Sequence, residues 1–261
     1  MSELFSIQLQ NRQQQGGDGV WLDLPTTTEQ VQVALRQIGI SSDNPQGLFI
    51  SGYFAEEEKR FAISYNMVLA SNVDELNFLA SRLETLSTGE RAELNAALQA
   101  PQSELFSIGR ITDFPENVDY YVHLPDVHGP AQLGDYYLNR SGMVNMPEEW
   151  KGGIDTAQFG RYVAQQEQGA FTQYGYLVKS GDEWQKVHEG QPVPEEYRVL
   201  SFPAPEVLRD SANIPPPVQP ETEPQKVIPI ILNGKDSAER MKEITDPVSY
   251  THLTLPTNSR V

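Results

Sequence analysis

The side chains best suited to chemistry lie close together in the middle of the chain. Asp119, His123, Asp126 and His128 place two imidazoles and two carboxylates within ten residues. Nitrogen and oxygen donors of this kind suit zinc or a harder divalent ion. Their spacing matches no defined metal motif, and Pro125 and Gly129 make the segment a loop. A polar strand end followed by a turn is therefore the preferred reading. A metal-dependent enzyme would require Asp119, His123 and His128 to converge. His188 is expected in an exposed hairpin. There is no Gly-rich phosphate loop, no GxSxG elbow, no HExxH pair and no EF-hand loop. The absence of cysteine removes disulfides, thiolate metal sites and a cysteine nucleophile. No catalytic residue, metal or cofactor is expected.

The more abundant chemical groups are carboxylates. The 261 residues contain 36 Asp plus Glu against 19 Lys plus Arg, a net charge of −17. A nucleic-acid binder needs a basic patch to neutralise phosphates, so direct DNA or RNA binding by residues 1–180 is not expected. An anionic membrane surface would repel the chain for the same reason. The charge is uneven: residues 1–180 hold 23 acids and 11 bases, only three of them lysines (Lys59, Lys151 and Lys179). Acids recur as pairs, at Asp74-Glu75, Glu148-Glu149 and Glu195-Glu196, and as a triplet at Glu56-Glu57-Glu58. Others are spaced singly at Glu84, Asp113, Glu116, Asp119, Asp126, Asp135 and Asp155. Each alone reads as a solvated surface charge. Together they could imitate a duplex backbone, which carries one charge per about 1.7 Å of axis, so 23 carboxylates on one face would match about 39 Å. The net −12 of that region covers about half as much. Acidity thus permits imitation of DNA without establishing it.

Local patterns indicate the elements that hold these groups. Phe5, Ile7 and Leu9 alternate with polar residues, as do Val20, Leu22 and Leu24 after the turn Gly16-Gly17-Asp18-Gly19. Thr26 with Glu29 suits a capping box, and Val31, Leu35 and Ile38 mark one helix face up to Gly39. Leu48 to Tyr53 completes a ββαβ unit. Ser71 and Asp74 suit the start of a helix whose apolar face is Leu76, Leu79, Leu83 and Leu86. Ser87 with Glu90 opens a second helix carrying Leu94 and Leu98, ended by Pro101. Beyond it the pattern predicts a strand at Tyr120 to His123, helices at Ala131 to Asn139 and Asp155 to Gln166, and strands at Ala170 to Val178 and Tyr197 to Phe202.

The expected fold class is α+β, elongated, in three small domains. These are a sheet-plus-helix domain at 1–64, a helical domain at 65–102 and a second α+β domain with a hairpin extension at 103–202. Seven prolines between Pro203 and Pro224 predict an extended linker at 203–226. Residues 227–246, with an apolar strand at Val227 to Leu232 and a helical start at Ser237 to Ile244, read as the opening of a further, truncated domain. Residues 247–261 have no periodic relation to what precedes them and are expected to be a sequence artefact. No apolar run reaches the roughly 18 residues of a membrane helix, and Met1-Ser2-Glu3 lacks the basic start of a signal peptide, so a cytoplasmic location is expected.

An ordered set of short blocks resembles the ArdA antirestriction proteins of mobile genetic elements over residues 4–180. It comprises Phe5 to Leu9, Gly19 to Pro25, Phe49 to Tyr53, Asp74 to Ala80 and Ala92 to Leu98. Its third region is the most specific, with Leu133-Gly-Asp-Tyr-Tyr137, Gly142 to Pro147, Ile154-Asp155, Phe159-Gly-Arg161, Gly169 to Thr172 and Gly175 to Val178. Tyr162 follows the Gly-Arg pair where members of the family commonly have an acid. The resemblance implies a non-enzymatic homodimer that mimics bent duplex DNA and occupies the DNA groove of type I restriction–modification enzymes. The acids that would form its surface are Asp74, Glu75, Glu84, Asp113, Glu116, Asp119, Asp126, Asp135, Glu148, Glu149 and Asp155. The family's antirestriction motif falls on Leu133 to Pro147, near the subunit interface. Leu133, Gly134, Tyr136, Tyr137, Leu138, Gly142 and Pro147 are then interface candidates, with simple packing of that helix as the alternative. Ile228 to Asp246 resembles the start of an ArdC-type single-stranded-DNA-binding region. A second reading is a non-catalytic acidic adaptor module of a larger mobile-element DNA-processing protein.

Overall fold

Alternating apolar residues build the first sheet. In the computed structural model, strands β1 (Phe5–Asn11), β2 (Val20–Leu24) and β3 (Leu48–Phe54) pair antiparallel in the order β2-β1-β3. Phe5, Ile7 and Leu9 are buried with Leu22, Leu24 and Ile50 beneath helix α1 (Thr28–Gln37), whose Val31, Ala34 and Leu35 close the layer. The structure describes residues 3–14, 17–101 and 103–204. The expected linker beyond Ala204, the segment 227–246 and the tail 247–261 lie outside the described residues.

Helix starts fall one residue away from two of the expected positions. The capping box of α1 is Thr27 with Gln30, not Thr26 with Glu29. Thr26 is buried, and its N–H is taken by the Asn77 Oδ1 at 2.7 Å. After the short helix α2 (Tyr65–Leu69), α3 (Val73–Glu84) starts on an Asn72–Glu75 box rather than on Ser71 and Asp74. Helix α4 (Thr88–Gln99) carries the expected Ser87–Glu90 box. The predicted stripe Leu76, Leu79 and Leu83 is fully buried. Each such leucine contributes about 1.5–3 kcal/mol by leaving water.

Helix α5 (Ile108–Thr112), capped by the Ser107 hydroxyl, was not legible in the sequence. Strand β4 (Tyr121–Leu124) begins one residue later than predicted. The predicted helix over 131–139 is two pieces: α6 (Pro130–Asp135) and a π-type turn at Tyr136–Arg140, closed by Ser141 N–H on the Tyr136 carbonyl at 2.8 Å. Helix α7 (Glu148–Lys151) is one turn, and α8 (Thr156–Glu167) is capped by Asp155. The expected single strand over 170–178 is a hairpin of β5 (Ala170–Thr172) and β6 (Gly175–Lys179), turned at Gln173-Tyr174 with Gly175 at φ +119. The second sheet is therefore β4-β6-β5, all antiparallel.

Residues 180–204 form a strap with one 3₁₀ turn at Glu195–Tyr197, and the expected strand over 197–202 pairs with no other strand among the described residues. Several of its backbone groups bond to side chains, as described below, and the Pro203 carbonyl accepts the Ser42 N–H at 3.1 Å. One apolar core joins the first sheet, the helices and the strap, running from Leu4 and Phe5 through Leu79, Leu94 and Phe114 to Val199. A smaller cluster of Val127, Leu133 and Tyr176 lies under α6, α8 and the second sheet.

Candidate functional site

The eleven acids expected on one surface do different jobs. Asp113 is completely buried and accepts backbone N–H groups from Val187 (3.2 Å), His188 (2.6 Å) and Glu189 (3.1 Å). It cannot present charge to a partner, which corrects its place in the surface set. Asp74 is half-buried, and its Oδ1 accepts from Val199 and Leu200 N–H, both at 2.7 Å. Glu75 and Asp155 cap helices α3 and α8. Carboxylates suit these N-terminal positions because the free N–H groups and the helix dipole attract negative charge. Glu84 is half-buried. Glu116 pairs with Arg82, Asp135 with Arg140 at 2.9 Å, and Glu148 with Lys151 at 2.6 Å. Asp119, Asp126 and Glu149 are exposed and have no ion-pair partner among the described residues.

Helix α4 adds a further acid near this set. Burial pushes the Glu93 carboxyl up to about 7, and the charges of Glu90 and Asp119 add to the shift. One Glu93 oxygen is buried with no hydrogen-bond partner. Half of its charge is therefore absent near neutral pH.

The residues of the third-region motif separate by depth. Leu133 is fully buried against Val127 and Tyr176, and Leu138 is 2% exposed. These leucines pack inside the chain, so they are unavailable as contacts to another copy. Gly134 lies where α6 meets α8: a Cβ there would stand 1.9 Å from the Thr156 carbonyl oxygen. Gly160 on the facing helix is equally constrained, at 1.8 Å from the Pro130 carbonyl oxygen. The glycine pair lets the two helix backbones touch, and any side chain would force them apart. Tyr136 and Tyr137 are half-buried, while Gly142 and Pro147 are exposed. Glu167 on α8 accepts from both the Tyr137 hydroxyl (2.5 Å) and the Tyr176 hydroxyl (3.1 Å). Burial first, then this carboxylate, pushes both phenols well above the ordinary tyrosine range.

The histidine–carboxylate cluster does not assemble. The His123 Nε2 lies 2.7 Å from the Tyr174 carbonyl, and the exposed His128 gives its backbone N–H to Gln132. Among the described residues no three metal-ligating side chains converge.

Two features escaped sequence reasoning. Large apolar side chains stand in water between residues 143 and 162: Met143 is 75% exposed, Trp150 69% and Tyr162 60%. The strap is the other. Asn117 holds both backbone groups of Gln185, and Asn77 donates to the Tyr197 carbonyl at 3.0 Å, beside the Asp113 and Asp74 bonds. Trp184 on the strap also stacks on Arg110 at 4.9 Å, and Arg110 reaches Glu104 at 3.5 Å. Glu104 is held below the usual carboxylate range, chiefly by its hydrogen bond from Lys179. The only hint in the sequence was the supply of Asp and Asn near 74–77 and 113–117, which offer acceptors to loop backbone.

Among the described residues, no helix is long and apolar enough to cross a membrane. No curated protein matches the chain. A family model for antirestriction protein (ArdA) matches residues 17–178, more than half of the chain, from before β2 through the α6–α8 pair and into β6, with β1 outside the match. The chain belongs to the ArdA antirestriction protein family.

Proposed function

We propose that this protein inhibits type I restriction–modification enzymes by presenting carboxylates where duplex DNA presents phosphates. The observation that carries the reading is the family membership of residues 17–178, joined to a net charge of −12 over residues 1–180. The acids that support a DNA-like surface are Asp119, Asp126 and Glu149, with the partly neutralised Glu116, Asp135 and Glu148. Asp74, Glu75 and Asp155 contribute charge while holding local structure. The positively charged groove of a DNA-binding enzyme would attract such a surface over tens of ångströms, speeding encounter at low salt. No covalent chemistry is required of the chain, since inhibition follows from occupying the groove.

The exposed Met143, Trp150 and Tyr162 support a homodimer through the segment around α7 and α8. A second copy would remove this apolar surface from water and lengthen the array of acids. The proposal is tested by competition between the full chain and a labelled duplex for a type I enzyme. Charge reversal of Glu148 and Glu149 to lysine weakens displacement of the duplex more than reversal of Glu195 and Glu196. Equal effects would instead favour an adaptor whose acidity only confers solubility.

A further inference from the structure

We propose that a groove between α2, α5 and the strap is a docking site for a short basic, aliphatic peptide segment of a partner protein. The groove has a volume of about 740 Å³, within the range of well-formed binding sites. Its apolar lining comes from Met67, Phe78, Phe106, Ile108 and Val193. Phe106 is 66% exposed, an unusual state for a phenylalanine beside a recess. The walls are fixed before any ligand arrives. The strap wall is held by the three N–H bonds to buried Asp113, and His188 stands edge-on to Phe78 at 4.9 Å. Phe106 is stacked on Arg110 at 5.1 Å, and Arg110 is in turn paired with Glu104. A preformed recess avoids the ordering cost that a collapsing loop would incur.

Charge selects the occupant. No lysine or arginine lines the groove, whereas Glu75 and Glu189 do. Glu189 shares its charge with Lys186 at 3.5 Å, and Glu75 takes the Asn72 N–H at 3.4 Å, so both are anchored at the wall. The net −17 of the chain adds a long-range attraction for cations and repels acidic segments. Aliphatic side chains would fill the floor, and a lysine or arginine would meet the two carboxylates. This goes beyond mimicry of DNA, because a phosphate backbone offers no apolar recess, and its test uses no restriction enzyme.

The test is fluorescence anisotropy of the full chain with a fluorescein-labelled peptide of leucine, alanine and arginine. A peptide with glutamate in place of arginine is the control. Saturable binding of the basic peptide alone is expected. Ala70→Trp, which fills the groove from its exposed edge, should weaken binding at least about tenfold, as should Phe106→Ala. Glu189→Gln should weaken it about two- to threefold, with the loss reduced at high salt. Thermal melting confirms that each variant is folded. The proposal is overturned if the basic peptide does not bind, if both peptides bind alike, or if the folded Ala70→Trp and Phe106→Ala proteins bind as the wild type does. It is also overturned if Ala70→Trp abolishes self-association in sedimentation, because the groove would then belong to a second copy.

Discussion

Asp113 shows how a single acid changes meaning with depth. In sequence it is one of many spaced carboxylates, yet in the fold it is the receptor for three consecutive backbone N–H groups. Asp113→Ala deprives these three part-buried donors of their acceptor, which should cost about 3 kcal/mol in urea unfolding. Glu149→Ala, at an exposed and unpaired acid, should change stability by less than about 0.5 kcal/mol. Glu93 yields a pH prediction. Its folded carboxyl titrates at about 7, against an ordinary 4.5. The folded state thus binds the proton more tightly than the unfolded state, and stability falls as pH rises between these values. Below the lower value both states are protonated and nothing is lost, while above about 7 the loss is complete. Glu93→Gln should therefore be more stable than the wild type at pH 8, by about 1–2 kcal/mol after allowing for water around a partly exposed side chain, and equal to it near pH 4. A difference independent of pH would show that Glu93 acts through packing alone. The sequence could not separate Asp113 or Glu93 from their solvated neighbours, because which way an acid points depends on contacts with distant segments.

At the scale of elements, regular patterns were legible and compensated irregular ones were not. The alternation in β1 and β2 and the leucine stripe of α3 follow from a period that one face must satisfy. The hairpin at 170–178 was missed because its aromatic run hid the Gln173-Tyr174-Gly175 turn. The strap was missed because its order comes from Asp74, Asn77, Asp113 and Asn117, all more than 60 residues away in sequence. Its removal is a direct test of this tie. A chain ending after residue 204 should melt as a single cooperative unit. One ending after residue 180 should lose stability measurably, since four side chains lose backbone partners and part of the core is uncovered. Equal melting temperatures for the two would show that the strap is only laid over the surface. The α6–α8 crossing makes a sharper prediction. Gly134→Ala and Gly160→Ala each drive a methyl into a backbone carbonyl of the facing helix. Each should cost about 3 kcal/mol and separate the helices that carry the third-region motif. This explains Gly134 and Gly160 by packing, a role that a sequence block alone does not distinguish from contact with a partner.

For the whole molecule, the excess of acid gains meaning from where the charges are placed. Part of the −12 of residues 1–180 is spent inside, at Asp113, or on caps and ion pairs. The remainder is exposed in two stretches of chain, at Glu3, Asp18, Asp23, Glu29, Asp43 and Glu56 to Glu58, and between residues 116 and 155, the stretch that also carries the exposed Met143 and Trp150 and the acids proposed for mimicry. On this account assembly and mimicry share one region. Trp150→Glu should convert a dimer to a monomer in sedimentation and weaken inhibition together with it. A monomeric wild type would remove the dimer from the account and leave the acids. The central claim is tested most directly by cleavage of duplex DNA by a type I restriction enzyme, titrated with the full chain at rising ionic strength. Electrostatic occupation of the DNA groove predicts strong inhibition at low salt that weakens steeply as salt screens the carboxylates. Absence of inhibition at low salt, or a potency indifferent to salt, would contradict it.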